Sequence, residues 1–364
     1  MMKVCFVTGL SKFGAERQTY EIAIRLADRH DVSVVGFSRR GAEVEKGEWA
    51  GLNLHIVEYE MGYFNYLVRA PFELARTLRK LEPDVCIQRS VGDLTGFVGT
   101  YCRLHNSRFI YHSANIVDVK PQTAFMLFNS PLSLCLYSLG LSLTDVIVAQ
   151  TQDIARLFSQ DLWRLKRVAV VPQLYDASTV QPPPRKSNFI LWLARLVWYK
   201  RPEIFVELAR QLPEYQFVMA GTGPLQTDVE RLAKSVANLK YVGGIDHERA
   251  EELCGEARLF VNTSDFEGFP NTLLECGARE TPFISLGYDP DEVICKYRIG
   301  LHSRSFNRLT EHVSLLMNDD LTRRELGRNA RRYVIENHSP KVTIQAYDRI
   351  LNQLGTKHGL QPPF

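Results

Sequence analysis

A chain of 364 residues with 44 Lys and Arg against 41 Asp and Glu, and a formal charge of +3, has no electrostatic reason to seek nucleic acid. Its 45% hydrophobic and 23% charged content is that of a soluble globular protein with material for two ordinary domains. Seven cysteines, scattered and without a Cys-x-x-Cys pair, argue against a disulfide framework or a zinc site and for reduced thiols in the cytosol.

The N-terminal run turns polar too soon for a signal peptide, so a cytoplasmic location is expected. From there, short apolar segments alternate with amphipathic helical stretches. Strands are predicted at Val4–Thr8, Val32–Phe37, Leu54–Val57, Val85–Gln88, Phe109–His112, Val146–Ala149 and Val168–Val171, with helices between them, such as Ala15–Arg29 and Pro71–Leu81. Consecutive apolar residues are what a parallel sheet covered on both faces requires. The pattern then breaks into Pro172-Gln-Leu-Tyr-Asp and Pro182-Pro-Pro-Arg-Lys-Ser-Asn188, a linker signature. A second set of strands follows at Phe189–Leu193, Phe217–Ala220, Lys240–Val242, Arg258–Val261 and Phe283–Leu286, and the segment 340–354 reads as a helix. This is α/β organisation: two Rossmann-like βα domains, 1–172 and 189–339, joined by residues 173–188 and facing a central cleft at the C-terminal edges of their sheets.

The most informative stretch is Ser264-Asp-Phe-Glu-Gly-Phe-Pro-Asn-Thr-Leu-Leu-Glu-Cys276, in which seven residues separate Glu267 from Glu275. The first glutamate sits in a loop after a strand. The second lies in the first turns of a helix for which Asn271 is the expected N-cap. Backbone N–H groups of Thr272 and Leu273 then offer an anion site at the positive end of that helix. Two carboxylates flanking such a site suit a ligand with hydroxyls at both ends and a diphosphate between them, as in a nucleotide sugar. Each glutamate alone has a plainer reading, one solvated and the other complementing the helix dipole.

The combination with Gly268, Phe269, Pro270 and Asn271 resembles the Glu-x7-Glu motif of retaining glycosyltransferases of the GT-B fold, in particular glycosyltransferase family four. That resemblance implies GT-B architecture, with the last helix packing back on the first domain over 340–364. It implies that Glu267 holds hydroxyls of the donor sugar and Glu275 those of the ribose, with Gly268, Phe269, Pro270, Asn271, Thr272 and Leu273 lining the donor. Arg195 and Lys200, in Ala194-Arg-Leu-Val-Trp-Tyr-Lys-Arg-Pro202, match the family's Arg-Leu-x-x-x-Lys and would stabilise the departing diphosphate, Arg201 less so. Without that context they are ordinary loop charges. Gly221 and Gly223 after the second strand, and Gly243 after the third, read as turns that in relatives approach the nucleoside; His247 is expected nearby without a chemical role. Gly14, in Gly14-Ala-Glu-Arg, stands where the family often carries Gly-Gly-Ala-Glu-Arg; here Phe13 replaces the first glycine. His112 ends a strand, where histidine often serves as a structural hydrogen-bonder; the resemblance makes it a contact of the transferred sugar. Gln150-Thr-Gln152 also resembles a family segment, with a less defined role.

Asp289-Pro-Asp291 could be mistaken for a metal-binding Asp-x-Asp, but reads as a turn with no further ligands, so no metal or cofactor is expected. Between Lys120 and Asp145 lies an uncharged stretch interrupted by Pro131, Gly140 and serines. It is expected as a helix of the first domain plus loop, or else as a segment lying on a membrane surface. The aromatic run Met61–Arg69 is compatible with docking near lipid. The partners expected are a nucleotide sugar and a glycan or lipid-linked acceptor, with peripheral contact at the inner face of the membrane as an addition. Two alternatives remain at this stage: a GT-B nucleotide-sugar epimerase or inverting transferase, and a catalytically silent nucleotide-sugar-binding partner. A nicotinamide dehydrogenase lacks its Gly-x-Gly-x-x-Gly.

Overall fold

The computed structural model describes residues 1–10, 14–39, 49, 51–59, 68–119, 130–160, 166–183 and 187–355. Two compact units divide the chain: residues 1–174 together with the chain from Pro340 onward, and residues 175–339.

The first unit is built on β1 (Lys3–Gly9), β2 (Asp31–Arg39), β3 (Asn53–Tyr59), β4 (Val85–Arg89), β5 (Arg108–His112), β6 (Val146–Ala149) and β7 (Arg167–Val170). They form one parallel sheet in the order β3-β2-β1-β4-β5-β6-β7. All five residues of β4 and all four of β6 are buried, as strands covered on both faces must be. Around the sheet run α1 (Gly14–Leu26), α2 (Ala70–Leu81), α3 (Asp93–His105), α4 (Pro131–Leu143) and α5 (Gln152–Gln160). Helix α4 crosses α3 at a separation only glycine permits. A Cβ on Gly140 would lie 2.3 Å from the carbonyl of Thr95, and one on Gly96 2.4 Å from that of Leu136. The inward face of α4 buries Tyr137 and Leu141, while Leu132, Cys135 and Leu139 are exposed. The uncharged stretch is thus a helix of this unit over 131–143; its residues 121–129, with Phe125 and Phe128, fall outside the described residues, as do 61–67.

The second unit holds β8 (Phe189–Leu193), β9 (Gln216–Ala220), β10 (Leu239–Tyr241), β11 (Leu259–Asn262), β12 (Phe283–Ser285) and β13 (Gly300–His302), all parallel in the order β10-β9-β8-β11-β12-β13. Its helices are α6 (Pro202–Gln211), α7 (Gln226–Ala233), α8 (His247–Glu256), α9 (Asn271–Ala278), α10 (Val293–Lys296), α11 (Phe306–Asn318) and α12 (Asp320–His338). Strand β13 was not among the predicted strands, because Gly300-Leu-His is too short and too mixed to show an apolar run. Part of the expected linker belongs to this unit's packing: the Tyr175 hydroxyl donates to Glu251 at 2.9 Å, and the Val180 carbonyl accepts from Arg331 at 2.9 Å.

The chain returns to the first unit as α13 (Pro340–Gly355). Its Ile344, Tyr347, Ile350, Leu351 and Leu354 are buried in a cluster with Val4, Phe6, Ile22 and Ile110. At about 1.5–3 kcal/mol for each large apolar side chain removed from water, this face is ample to hold the helix.

Candidate active site

In a parallel sheet of order 3-2-1-4-5-6 the chain winds one way from the first strand and the other way from the fourth, and ligands bind outside the carboxyl ends of the strands at that reversal. In the second unit the reversal falls between β8 and β11. The loops leaving these strands carry Arg195 and Lys200 on one side and Glu267 on the other. Buried Thr263 ties them together, accepting from the Trp192 indole N–H at 2.9 Å and donating to the Lys200 carbonyl at 2.6 Å. The Asp265 N–H reaches the Tyr199 carbonyl at 2.9 Å, and the rings of Tyr199 and Phe266 stack with centroids 4.9 Å apart.

On this frame the Lys200 ammonium donates to Glu267 Oε1 as an ion pair, and Ser264 Oγ donates to the same oxygen at 2.7 Å. Glu267 is only 8% exposed, so the charges meet largely out of water. The loop beyond is pinned where the Tyr288 hydroxyl donates to the Gly268 carbonyl at 2.9 Å. Arg195 shares the Lys200 loop, but its side chain is exposed and has no ion pair among the described residues. Arg201 is spent on Glu203 and Asp265 at 2.7 and 3.1 Å.

Two expectations about α9 are corrected. Its cap position is Pro270, without a side-chain hydrogen bond, and Asn271 is the first helical residue. Proline's fixed φ of −64° sets the entry to the helix, so asparagine's capping tendency is not called on. Of the two N–H groups expected to face a ligand, that of Leu273 donates to the Pro270 carbonyl at 3.1 Å. Glu275 is half-buried in the second turn, its carbonyl accepting from Arg279 at 3.1 Å.

The glycine loops form a locked rim. Gly221 donates to the Gly243 carbonyl at 2.8 Å, and Leu196 to that of Thr222 at 2.8 Å. Gly221 and Gly223 have φ of +142° and +156°, and a Cβ on Gly221 would lie 1.9 Å from the Ala194 carbonyl oxygen, so no other residue fits there. His247 lies 3.4 Å from Glu251, which also meets Arg279 and Tyr175. Burial pushes the Glu251 carboxyl up, but these partners outweigh it and bring it down to about 2.

His112 and Gly14 belong to the first unit. Gly14 opens α1 with φ of +62°. His112 ends β5 and is 3% exposed; its Nδ1 is 2.5 Å from the Tyr347 hydroxyl on α13, while Nε2 has no partner among the described residues. Burial, and then the nearby Arg89 cation, holds the imidazole well below its ordinary pKa, so it is neutral. The loop after it is closed by Asp118, which accepts from the N–H groups of Ala114 and Asn115 at 2.6 and 3.2 Å. Burial pushes that carboxyl up to about 6. Gln150 donates from its side chain to the Ala114 carbonyl at 3.4 Å.

Several residues escaped the sequence reading: Arg89, Asp118, Tyr288 and Tyr347, none of which stands in a motif. A further correction concerns Asp289, expected to have no neighbouring ligands. The fold brings Cys295 and His302 to it, with one ligand atom of each within 4.8 Å of the others. Its carboxylate meanwhile accepts the N–H groups of Ile294 and Cys295 at 2.8 and 3.3 Å.

Residues 13–173 match the family described as glycosyl transferase 4-like domain, and residues 176–333 that described as glycosyl transferases group 1. A Campylobacter jejuni α-1,4-N-acetyl-D-galactosaminyltransferase named for an undecaprenol-diphosphate glycan is 26% identical over 348 residues, 91% of this chain and 93% of its own. Among solved structures, HepE of Anabaena with UDP and glucose superposes with a TM-score of 0.80 at 15% identity, covering 98% of this chain and 100% of its own. TarM of S. aureus gives 0.77 at 13% identity, covering 97% of this chain and 100% of its own. The architecture is therefore that of the GT-B fold. Within it, the chain is a glycosyltransferase resembling family four.

Proposed function

We propose that this protein is a retaining, metal-independent hexosyltransferase that moves a sugar from a nucleotide-sugar donor to a glycan or lipid-linked acceptor, in the making of a cell-surface polysaccharide or glycoconjugate. The observation that carries this reading is the Lys200–Glu267 pair at the reversal point of the second sheet, which sets a cation for phosphate beside a carboxylate for hydroxyls. Glu275 takes ribose hydroxyls and Glu267 those of the sugar. Arg195 and Lys200 stabilise the negative charge that grows on the diphosphate as its bond to the anomeric carbon breaks. The acceptor oxygen bonds to that carbon on the same face and gives its proton to the leaving phosphate, so no protein base is needed. His112, neutral and with no partner for Nε2 among the described residues, is assigned a contact with the transferred sugar.

The lipid-linked class is supported by the Campylobacter relative above and by a second, an α-1,3-N-acetylgalactosaminyltransferase of the same organism named for a diphospho-undecaprenol acceptor, 28% identical over 179 residues, 46% of each chain. Among the described residues no helix is long and apolar enough to cross a membrane. Attachment to the cytoplasmic leaflet is instead assigned to exposed apolar side chains of the first unit, Val68 and Phe72 at α2 and Leu132 and Leu139 on α4. A thermal-shift panel of nucleotides and nucleotide sugars tests the reading, since binding to the native state raises its stability. Protection by one nucleoside diphosphate and its sugar, with a product keeping the donor's anomeric configuration, is expected. An inverted anomer, or no protection by any nucleotide, refutes it.

A further inference from the structure

Arg89 ends β4, which lies beside β1 at the reversal point of the first unit's own sheet. It is 6% exposed, and burial weakens its hold on its proton, yet a guanidinium in a protein stays charged. Among the described residues the only hydrogen bond of its guanidinium runs from Nη2 to the neutral Oε1 of Gln173 at 2.5 Å. Nε and Nη1 have no partner among the described residues, and neither has Nε2 of the adjoining His112. With the Tyr347 hydroxyl on Nδ1, the neutral His112 ring can present Nε2 as an N–H. Two buried guanidinium donors are thus unmet, with the His112 Nε2 beside them, around a cation that no carboxylate among the described residues holds. Glu16 and Asp118 are near enough to act on Arg89 through space, but neither pairs with it, and Asp118 is engaged by Ala114 and Asn115. The next residue, Ser90, is held at φ of +73°, a strained backbone of the kind found at ligand sites.

A buried cation in this condition is unfavourable unless an anion meets it. We propose that Arg89 anchors a diphosphate, that of a phosphorylated acceptor, and so makes the enzyme selective for acceptors that carry one. Nε and Nη1 do not share an edge of the guanidinium plane. Linked phosphate groups can meet both, whereas one carboxylate meets a single edge. The ligand's identity rests on the transferase reading: there the donor's diphosphate is met in the second unit by Arg195 and Lys200, which leaves an anion in the first unit to the other substrate.

The test is calorimetric titration of inorganic pyrophosphate into the Arg195→Ala/Lys200→Ala variant, whose donor-side cations are gone, and into the same background with Arg89→Met or Arg89→Lys. One equivalent should bind the double variant. Arg89→Met should weaken it by about tenfold or more, the scale of a lost charge-assisted hydrogen bond, and Arg89→Lys by less. Melting curves establish that each variant is folded. If Arg89→Met does not fold, Arg89→Lys carries the comparison, since it keeps the charge and loses donors. Farnesyl diphosphate separates the sources of the anion: tighter binding than pyrophosphate indicates a lipid-linked acceptor, and equal binding a free phosphorylated one. Absence of pyrophosphate binding in the double variant, or unchanged affinity in the folded Arg89 variants, overturns the proposal. Failure of the transferase reading shows separately, as a parent protein protected by no nucleotide while pyrophosphate still binds.

Discussion

Changing Glu267 to Gln is the most direct test of the site. The substitution keeps size and shape and leaves a carbonyl to accept from Ser264, but it removes the charge facing Lys200. Two charges about 4 Å apart attract by about 4 kcal/mol at an effective dielectric near 20. With Lys200 and Glu267 side chains only 14% and 10% exposed, desolvation offsets much of that. The net loss of stability should be about 1–3 kcal/mol, or roughly 2–10 °C in Tm for a unit of this size. On the proposed mechanism, which puts this carboxylate on the sugar, turnover should fall further, by about a hundredfold. The assay is kcat/KM with the donor that the thermal-shift panel identifies, beside melting curves. Adding Lys200→Met to Glu267→Gln removes the stranded ammonium, so stability should recover while turnover does not. If turnover recovers together with stability, the pair is structural only, and the assignment of Glu267 and Lys200 to catalysis is wrong.

Arg195→Ala should melt within about 0.5 kcal/mol of the parent, because its side chain is exposed, and still lose about a hundredfold in turnover; near-normal transfer would remove Arg195 from the mechanism. Transfer should survive excess chelator, and Cys295→Ser and His302→Ala should leave it unchanged; a chelator-sensitive reaction restored by magnesium, manganese or zinc would place a cation among Asp289, Cys295 and His302 after all. Glu251→Gln should destabilise the protein at neutral pH by about 1–3 kcal/mol. Because the folded carboxyl lies at about 2, below its ordinary 4.5, that stability is present above pH 4.5 and fades as pH falls toward 2, so the melting curves of variant and parent should converge over that window. Vesicles containing phosphatidylglycerol should retain the protein, and Leu132→Ser/Leu139→Ser should weaken retention without lowering Tm; loss of Tm would mark these leucines as packing residues.

Where apolar residues run consecutively the strands were legible, and Val146–Ala149 and Phe189–Leu193 emerge with the same limits in sequence and structure. The motif around Glu267 was legible because its residues are contiguous. Lys200 was legible too, as part of Arg-Leu-x-x-x-Lys, but its pairing with Glu267 was not: the two lie 67 residues apart in the chain, and only the placing of β8 beside β11 brings them together. The Asp289 neighbourhood hides for a related reason, since Cys295 and His302 come from α10 and the short β13. Arg89 could have been noticed as the one charge in the otherwise uncharged strand Val-Cys-Ile-Gln-Arg, where a buried cation needs an explanation. Asn271 was read as a cap on composition alone, although proline before it already fixes the turn.

The self-pairing of Lys200 with Glu267 also bears on what the site will ignore. Free phosphate is abundant wherever nucleotide sugars are used, and a lone unpaired lysine at a sheet edge would hold it readily. Here phosphate would have to displace Glu267, and it offers that carboxylate no hydroxyl in exchange, leaving a buried charge stranded. A nucleotide sugar, bound as proposed above, would replace both halves of the pair at once, with oxygen anions for Lys200 and hydroxyls for Glu267. Discrimination of this kind needs no steric barrier; it follows from two opposite charges that can be parted without loss only by a ligand carrying both chemistries.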